Sequence, residues 1–432
     1  MNTYSSYKDS GVEGIGEIPS EWECLRGRFL FENKKIINKE FQCENLLSLT
    51  LFGVLNKNME SHKGLRPSNY KTYQLFEKDD LVFKLIDLEN VKTSRVGLVH
   101  ENGIMSPVYI RLEPNKNSHS KYNYYYFYDL YKKEIFNFLG SGVRSSLSPS
   151  DLLEIEVPVP PLQEQQQISD YLDYKTLKID TLIEKTQQKI ELLKEQRTSL
   201  INTTVTKGLN PNVEMKDSRV EWIGEIPSEW EVVKLKFVGK VVIGLSYSPD
   251  NVVDEGEGTL VMRSTNVQNG KPSFHNNVYV NKDIPDRMVT REGDILICSR
   301  NGSRNLIGKN CIISKDIEGM TFGVFMTIFR SKYWKLIYWV LNSPVFKSQS
   351  GLYLTSTINQ LTVSTIKNLT IPFTFNEREQ QQIVDYLDKE TSRIDKLVDI
   401  ESKRIYLLKE YRQSLISEVV TGKVDVRDEV LV

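Results

Sequence analysis

The nine residues Ile15-Gly16-Glu17-Ile18-Pro19-Ser20-Glu21-Trp22-Glu23 return unchanged at 223–231, 208 positions further along a chain of 432 residues. A second set of repeats has a constant offset of 215. Residues 164–168 return at 379–383, and residues 192–195 return at 407–410. Repeats of this length, in the same order, indicate a duplication. The chain therefore contains one scaffold twice.

The second repeated segment has the pattern of a long helix. Its apolar residues recur at alternating intervals of four and three, which is the spacing of a coiled-coil seam. Residues 164–206 and 379–421 are both 43 residues long, so each helix would measure about 65 Å. The predicted helix-pair interface consists of Ile179, Ile183, Ile190, Leu193 and Leu200 with Ile394, Val398, Ile405, Leu408 and Leu415.

Polar residues interrupt this seam at Thr186, Arg197, Glu401 and Arg412. They disfavour a uniform dimeric zipper and favour an antiparallel pair within one chain, where they can fix the register. Such a pair predicts two inserts at opposite ends of a rod that is as long as about 19 base pairs of duplex.

The inserts between the repeats carry an excess of positive charge. Residues 24–150 contain 19 Lys and Arg against 13 Asp and Glu, and residues 232–365 contain 16 against 10. The remainder of the chain has a net charge of −13. Chance segregation of charge is one explanation. The other is a polyanionic partner that contacts only the inserts.

The inserts do not align with each other over most of their length, but both have short alternating apolar runs bounded by Gly, Asn and Ser. This pattern is typical of strands in a mixed domain. Helix-like stretches follow at 122–139 and 334–348. The predicted fold class is α+β: two mixed α/β domains separated by a long antiparallel two-helix coiled coil, with an internal pseudo-two-fold repeat.

Catalytic motifs are absent from the sequence. It contains no Walker A loop, no His-Glu-x-x-His and no strand-linked Gly-x-Gly-x-x-Gly. The four cysteines and four histidines are scattered, which disfavours a disulfide scaffold or a metal site. No run of eighteen apolar residues occurs, so we expect a cytoplasmic protein. Because no catalytic motif is present, we expect that it is not an enzyme.

Loops of the inserts supply residue types that bind DNA. Ser94-Arg95-Val96-Gly97 and Ser299-Arg300-Asn301-Gly302 share the pattern Ser-Arg-x-Gly, after strands that begin at Asp80 and Asp294. Arginine and asparagine are the usual readers of base edges. For each arginine the alternative is a solvated loop residue or a structural ion pair. The candidate DNA-binding residues are Lys63, Arg66, Asn69, Lys71, Arg95, Arg144, Ser145, Arg263, Arg300, Asn301, Arg304 and Lys309. The tyrosine-rich run 122–131 could stack on bases, but aromatic residues at helical spacing are more often part of a core.

These motifs together resemble the specificity (S) subunits of type I restriction-modification systems. The resemblance rests on Gly-Glu-Ile-Pro-Ser-Glu-Trp at 16–22 and 224–230, and on the Val-Pro-Val-Pro-Pro-Leu-Gln-Glu-Gln run at 157–165. It also rests on the Leu-Leu-Lys-Glu-x-Arg-x-Ser-Leu-Ile helices at 192–201 and 407–416. The second copy departs from the pattern at 373–376, where the paired prolines are missing.

The resemblance implies a non-catalytic chain that binds a bipartite DNA target through two target recognition domains, one half-site each. The implied partners are double-stranded DNA, two modification methyltransferase subunits and restriction/translocase subunits. S-adenosylmethionine, ATP and Mg would belong to those partners. The corresponding domain plan is an N-terminal conserved segment at 1–23, recognition domains at 24–156 and 232–370, conserved helical regions at 157–210 and 371–432, and a linker at 211–231.

Two other interpretations remain open. The chain could be the specificity subunit of another type of restriction-modification system, or a coiled-coil adaptor that does not bind DNA. The adaptor hypothesis does not explain why positive charge concentrates in the inserts.

Overall fold

The computed structural model describes residues 2–58, 70–88, 93–140, 146–353 and 359–429. The chain forms two compact units. Unit 1 comprises 1–187 together with 403–432, and unit 2 comprises 188–402. The division crosses both long helices, so each unit contains a part of each helix.

Unit 1 is built around the first insert. Its strands are β1 Tyr7–Asp9, β2 Glu17–Pro19, β3 Glu23–Arg26, β4 Phe31–Glu32, β5 Leu47–Thr50, β6 Gly53–Asn56, β7 Gln74–Phe76, β8 Leu81–Phe83, β9 Val96–Leu98, β10 Gly103–Met105, β11 Ile110–Pro114 and β12 Glu156–Val159. Its helices are α1 Ser120–Lys132, α2 Ile135–Leu139, α3 Pro149–Glu154 and the first part of α4 Leu162–Lys207.

A four-stranded antiparallel sheet in the order β4-β11-β8-β9 forms the centre of unit 1. Helix α1 packs its aromatic face on this sheet, with Phe127 5.1 Å from Phe83, ring centre to ring centre. Tyr122, Tyr125 and Tyr126 are buried with it, so the tyrosine-rich run is core, as its spacing predicts. Strands β3 and β12 pair and bring the two ends of the insert together.

Unit 2 repeats this plan. Its strands are β13 Met215–Asp217, β14 Glu225–Pro227, β15 Glu231–Lys234, β16 Lys240–Ile243, β17 Val252–Val253, β18 Thr259–Met262, β19 Val267–Gln268, β20 Lys271–Pro272, β21 Tyr279–Val280, β22 Ile295–Cys298, β23 Asn310–Ile312, β24 Thr321–Phe322, β25 Met326–Arg330 and β26 Thr370–Phe373. Its helices are α5 Leu235–Val238, α6 Trp334–Leu341, α7 Pro344–Tyr353, α8 Val363–Asn368 and the first part of α9 Glu377–Val420.

The central sheet of unit 2 has the order β16-β25-β22-β23, which matches the sheet of unit 1 strand for strand. Strands β15 and β26 pair as β3 and β12 do. A second sheet, β17-β21-β18-β24, extends unit 2. The two inserts therefore share a central fold although their sequences do not align.

The long helices start at equivalent positions by different means. Pro160 and Pro161 precede α4, whereas Asn376 caps α9 by accepting hydrogen bonds from the backbone N–H groups of Arg378 and Glu379. This cap explains how the second copy begins its helix at the same place without paired prolines. Both helices end at a glycine with positive φ, Gly208 at +71° and Gly422 at +72°.

Two predicted helices are shorter than the sequence suggested. The stretch 122–139 breaks between α1 and α2, where Glu134 adopts a left-handed backbone with φ +59°. The stretch 334–348 breaks between α6 and α7, where Pro344 begins the second helix. Neither predicted stretch is a single helix, and each insert instead has a helix pair at this position.

Candidate nucleic-acid interface

Several predicted DNA-binding residues of the first insert lie outside the described residues, so the structure places none of them. They are Lys63, Arg66, Asn69, Arg144 and Ser145. Lys71 is described and exposed.

Arg95 is wrong as a DNA-contacting candidate, because its side chain is buried in unit 1 with 2% of its surface exposed. Its guanidinium donates hydrogen bonds to the backbone oxygens of Ile86, Asp87 and Leu88 at 2.6–3.2 Å. A buried guanidinium needs such acceptors, and these carbonyls need donors. Arg95 therefore closes the loop between β8 and β9.

The two Ser-Arg-x-Gly motifs also occupy different positions in the shared fold. Arg95 immediately precedes β9, whereas Arg300 follows β22, the counterpart of β8. One arginine is thus at the end of its loop and the other at the start. Both motifs follow the Asp-led strand, as predicted, but Gly97 lies within β9 and does not end a loop, whereas Gly302 lies in the loop after β22.

In unit 2 the second motif borders an open cavity of about 1100 Å³. The polar side chains at this cavity include Arg263, Ser264, Thr265, Arg300, Asn301 and Asn359, and no carboxylate is among its described lining residues. Its apolar wall includes Tyr247, Val324 and Phe325. A cavity with two arginines and no acid attracts anions and electronegative base edges.

The backbone of the Arg300 loop is fixed from two sides. The N–H groups of Ser299 and Arg300 both donate to the carbonyl of Phe325, at 3.0 and 3.1 Å. The carbonyl of Ser299 accepts from Leu361 at 2.7 Å, and the amide nitrogen of Asn359 donates to the carbonyl of Gly302. The loop therefore holds its first residues in one position.

The guanidinium of Arg300 lies over the ring of Phe325, with Cζ 5.0 Å from the ring centre. Both side chains are exposed at the cavity. An arginine stacked on an aromatic face keeps the N–H groups at its edge available for other acceptors.

The other predicted residues of unit 2 have partners within the protein. Asn301 donates its amide nitrogen to Ser264 Oγ at 2.9 Å and accepts from the N–H of Ser303 at 2.9 Å. Arg263 donates to the carbonyl of Asn276. Arg304 donates to the carbonyl of Gly351, and Lys309 to that of Val267. Asn301 thus braces the loop through its side chain.

Sequence reasoning missed an Arg–Asp ion pair that occurs at the same place in each insert, with its aspartate buried. Arg111 on β11 lies 2.6 Å from Asp80, and Arg330 on β25 lies 2.7 Å from Asp294. Asp80 immediately precedes β8, which pairs with β11, and Asp294 immediately precedes β22, which pairs with β25. Burial raises the pKa of the Asp80 carboxyl to about 6. The signal was present, because all four residues lie in or beside predicted strands.

The residues of the predicted helix-pair interface are all buried or half-buried. In unit 2, Lys189 pairs with Glu401 at 2.5 Å and Arg197 with Asp395 at 2.8 Å. Position numbers rise along one helix as they fall along the other, so the helices are antiparallel there. In unit 1, Arg412 pairs with Asp180 at 2.9 Å.

Each repeated tryptophan is buried where the two long helices meet. In unit 1 the indole N–H of Trp22 donates to Glu164 in the first turn of α4, and its ring lies against Gly422 after α9. In unit 2 Trp230 donates to Glu379 in the first turn of α9, and its ring lies against Gly208 after α4. Each unit therefore joins the start of one helix to the end of the other.

Comparison with known proteins decides the family. The family model for the type I restriction modification DNA specificity domain matches residues 19–192 and again residues 227–411. This chain belongs to the type I restriction modification DNA specificity family. As a type I specificity subunit it has two specificity domains, one for each copy of the scaffold.

Relatives and solved structures agree with this assignment. The type I restriction enzyme MjaVIII specificity subunit of Methanocaldococcus jannaschii is 30% identical over 345 residues, covering 76% of each chain. The fold resembles a chain in a structure of type I R-M system assembly and conformational transition, with a TM-score of 0.66, 17% identity, and 94% and 99% of the two chains covered. It also resembles the HsdS subunit from Thermoanaerobacter tengcongensis, with a TM-score of 0.54, 15% identity, and 94% and 98% covered.

The described part of the type I specificity subunit has two further properties. No three of its His, Cys, Asp and Glu side chains come together in a way that could hold a metal ion. None of its helices is long and apolar enough to cross a membrane.

Proposed function

We propose that this specificity subunit binds a bipartite DNA target, with one half-site read by each recognition domain, residues 24–156 and 232–370. The observation that carries the proposal is the double match of the specificity family to two units with the same central sheet and different surfaces. A shared sheet with unlike loops suits two readers of unlike sequences.

The chain is in this proposal non-catalytic. Two modification methyltransferase subunits and restriction/translocase subunits supply the chemistry, together with S-adenosylmethionine, ATP and Mg. The conserved regions at 157–210 and 371–432 provide the scaffold to which these subunits bind. The absence of catalytic motifs from the sequence supports this division of labour.

An exchange of inserts tests the bipartite proposal. Residues 24–150 are replaced by the equivalent insert of a relative, and the methylated sequences of the resulting methyltransferase complex are determined. We expect one half of the target to change and the other to stay. The reciprocal exchange of 232–365 is the matched control, and it should change the other half. A change in both halves from a single exchange would contradict the proposal.

A second experiment tests the non-catalytic role. The pure chain is incubated with duplex DNA and labelled S-adenosylmethionine, alone and with its methyltransferase subunits. We expect label in DNA only in the second reaction. Incorporation by the pure chain would contradict the proposal.

A further inference from the structure

We propose that Arg300, stacked on Phe325, is the residue of unit 2 that reads a guanine in the major groove. The proposal rests on the proposed function and makes it more specific. It assigns one base identity to one side chain in one of the two half-sites.

The guanidinium of Arg300 differs in its hydrogen-bond partners from the other candidate cations of unit 2. Within the described residues, the structure gives the side chain of Arg300 a ring contact with Phe325 and no oxygen acceptor. Arg263, Arg304 and Lys309 each donate to a backbone carbonyl instead. Of these four cations, Arg300 is therefore the one whose side chain no hydrogen bond to the described residues holds, so its full set of donors is available to a ligand.

The loop and the side chain of Arg300 are preorganised for binding. The same residue, Phe325, fixes the Arg300 loop through its carbonyl and supports the Arg300 side chain through its ring. Asn301 ties the next position to Ser264. A long side chain that is held in place before binding loses less conformational entropy when it binds. A flexible surface arginine, by contrast, suits contacts that do not require one fixed position of the side chain.

The cavity wall beside Arg300 is apolar. The exposed Val324 and Phe325 adjoin Arg300, with 39% and 51% of their surfaces accessible. Apolar surface beside a planar donor suits the flat edge of a base, whereas a strongly hydrated phosphate gains nothing from contact with it. In the major groove, guanine presents the acceptors O6 and N7 side by side, and arginine binds both at once.

The corresponding motif of unit 1 cannot act in this way, because Arg95 is buried and bonded to backbone carbonyls. The proposal is therefore confined to the half-site of unit 2. A substitution of Arg300 should leave the other half-site unchanged.

The test uses the full chain in complex with its methyltransferase subunits and a pool of random duplex DNA, and methylated sequences are read from the products. We compare Arg300→Ala, Arg300→Lys and Phe325→Leu with Arg287→Ala. Arg287 is an exposed arginine of the same unit that does not line the cavity, so it controls for the lost charge.

We expect Arg300→Ala to lose the preference for guanine at one position by about 5- to 150-fold, the range of a bidentate base contact. Arg300→Lys keeps the charge but not the two-pronged geometry, so it should lose most of that preference with the salt dependence retained. Phe325→Leu should weaken the same preference. Arg287→Ala should change none of these quantities.

Three results would overturn the inference. If Arg300→Ala weakens all sequences equally and Arg300→Lys restores binding, Arg300 contacts a phosphate. If Arg300→Ala leaves the methylated sequence unchanged while the wild-type complex methylates a bipartite target, the inference fails and the proposed function stands. If the wild-type complex shows no sequence-specific methylation, the proposed function fails and the inference with it.

Discussion

The indole N–H of Trp22 donates to Glu164 Oε1 at 3.1 Å across 142 positions of the chain. The hydroxyl of Tyr4 donates to the same oxygen at 2.7 Å. One carboxylate in the first turn of α4 therefore holds two aromatic residues of the N-terminal segment. Trp230 and Glu379 form the same contact in unit 2.

Removal of Trp22 should destabilise unit 1. The side chain is fully buried, so Trp22→Ala leaves a cavity and is expected to lower the free energy of unfolding by about 3–5 kcal/mol. Trp222 is 37% exposed, and Trp222→Ala should cost about 1 kcal/mol or less. Urea denaturation of the full chain, followed by far-ultraviolet circular dichroism, measures both. Equal losses in the two variants would contradict the assignment of Trp22 to this joint.

The glycine after α9 should be far less replaceable than a glycine with the same backbone angle elsewhere. Gly422 and Gly224 both have φ +72°, so alanine at either position costs about 1–2 kcal/mol of backbone strain. A Cβ at Gly422 would lie 2.3 Å from Pro19, whereas one at Gly224 would meet nothing within 4 Å. We expect Gly422→Ala to cost a further 1–3 kcal/mol or so. Thermal unfolding of the two variants side by side checks the difference.

The two motif arginines should differ in what their loss affects. Arg95→Ala removes the donor of three backbone carbonyls, of which that of Leu88 is buried, and should cost about 1–3 kcal/mol of unfolding free energy. Arg300→Ala should change the unfolding free energy by about 0.5 kcal/mol or less, because the side chain is exposed. Chemical denaturation of both variants is the measurement. A stable Arg95→Ala variant would mean that the β8–β9 loop closes without it.

The thiol of Cys24 should react slowly at neutral pH. Burial, together with the nearby charge of Glu156, raises the pKa of Cys24 to about 11. Because the thiolate is the reacting form, its rate of alkylation by iodoacetamide should rise about tenfold per pH unit from pH 7 to 9.5. Peptide mass spectrometry follows Cys24 separately from the other cysteines. A thiol with the ordinary pKa of about 8.5 would rise much less than tenfold between pH 8.5 and 9.5, and that result would show that the pKa is not raised.

The scaffold was predictable because its duplication is visible as repeated sequence. An offset of 215 residues locates both long helices, and their observed starts at 162 and 377 differ by the same number. The seam residues follow from heptad spacing alone, since the spacing decides which side of a helix can be buried. The break at Glu134 was not predictable, because no glycine or proline marks it.

The candidate interface was only partly predictable, and the reason is visible in Arg95 and Arg300. Their tetrapeptides have the same pattern, but one guanidinium meets the carbonyls of its own loop and the other meets the ring of Phe325. The pattern of four residues does not show which of these environments the guanidinium meets, because the fold of the surrounding loop decides it. Local sequence thus identifies the residue types, and tertiary contacts decide which of them face outward.

Unit 1 consists of two segments that are far apart in the sequence, and this affects how the chain folds during synthesis. Leu415, Ile416 and Val419 belong to the same core as Trp22 and Phe83. Unit 2 is continuous in sequence, so its core can form as soon as residue 402 has left the ribosome. The core of unit 1 is complete only when residues 403–426 have been made, although its first residues are the first to be made. We therefore expect the N-terminal half to stay accessible to chaperones and proteases for longer than the segment that follows it.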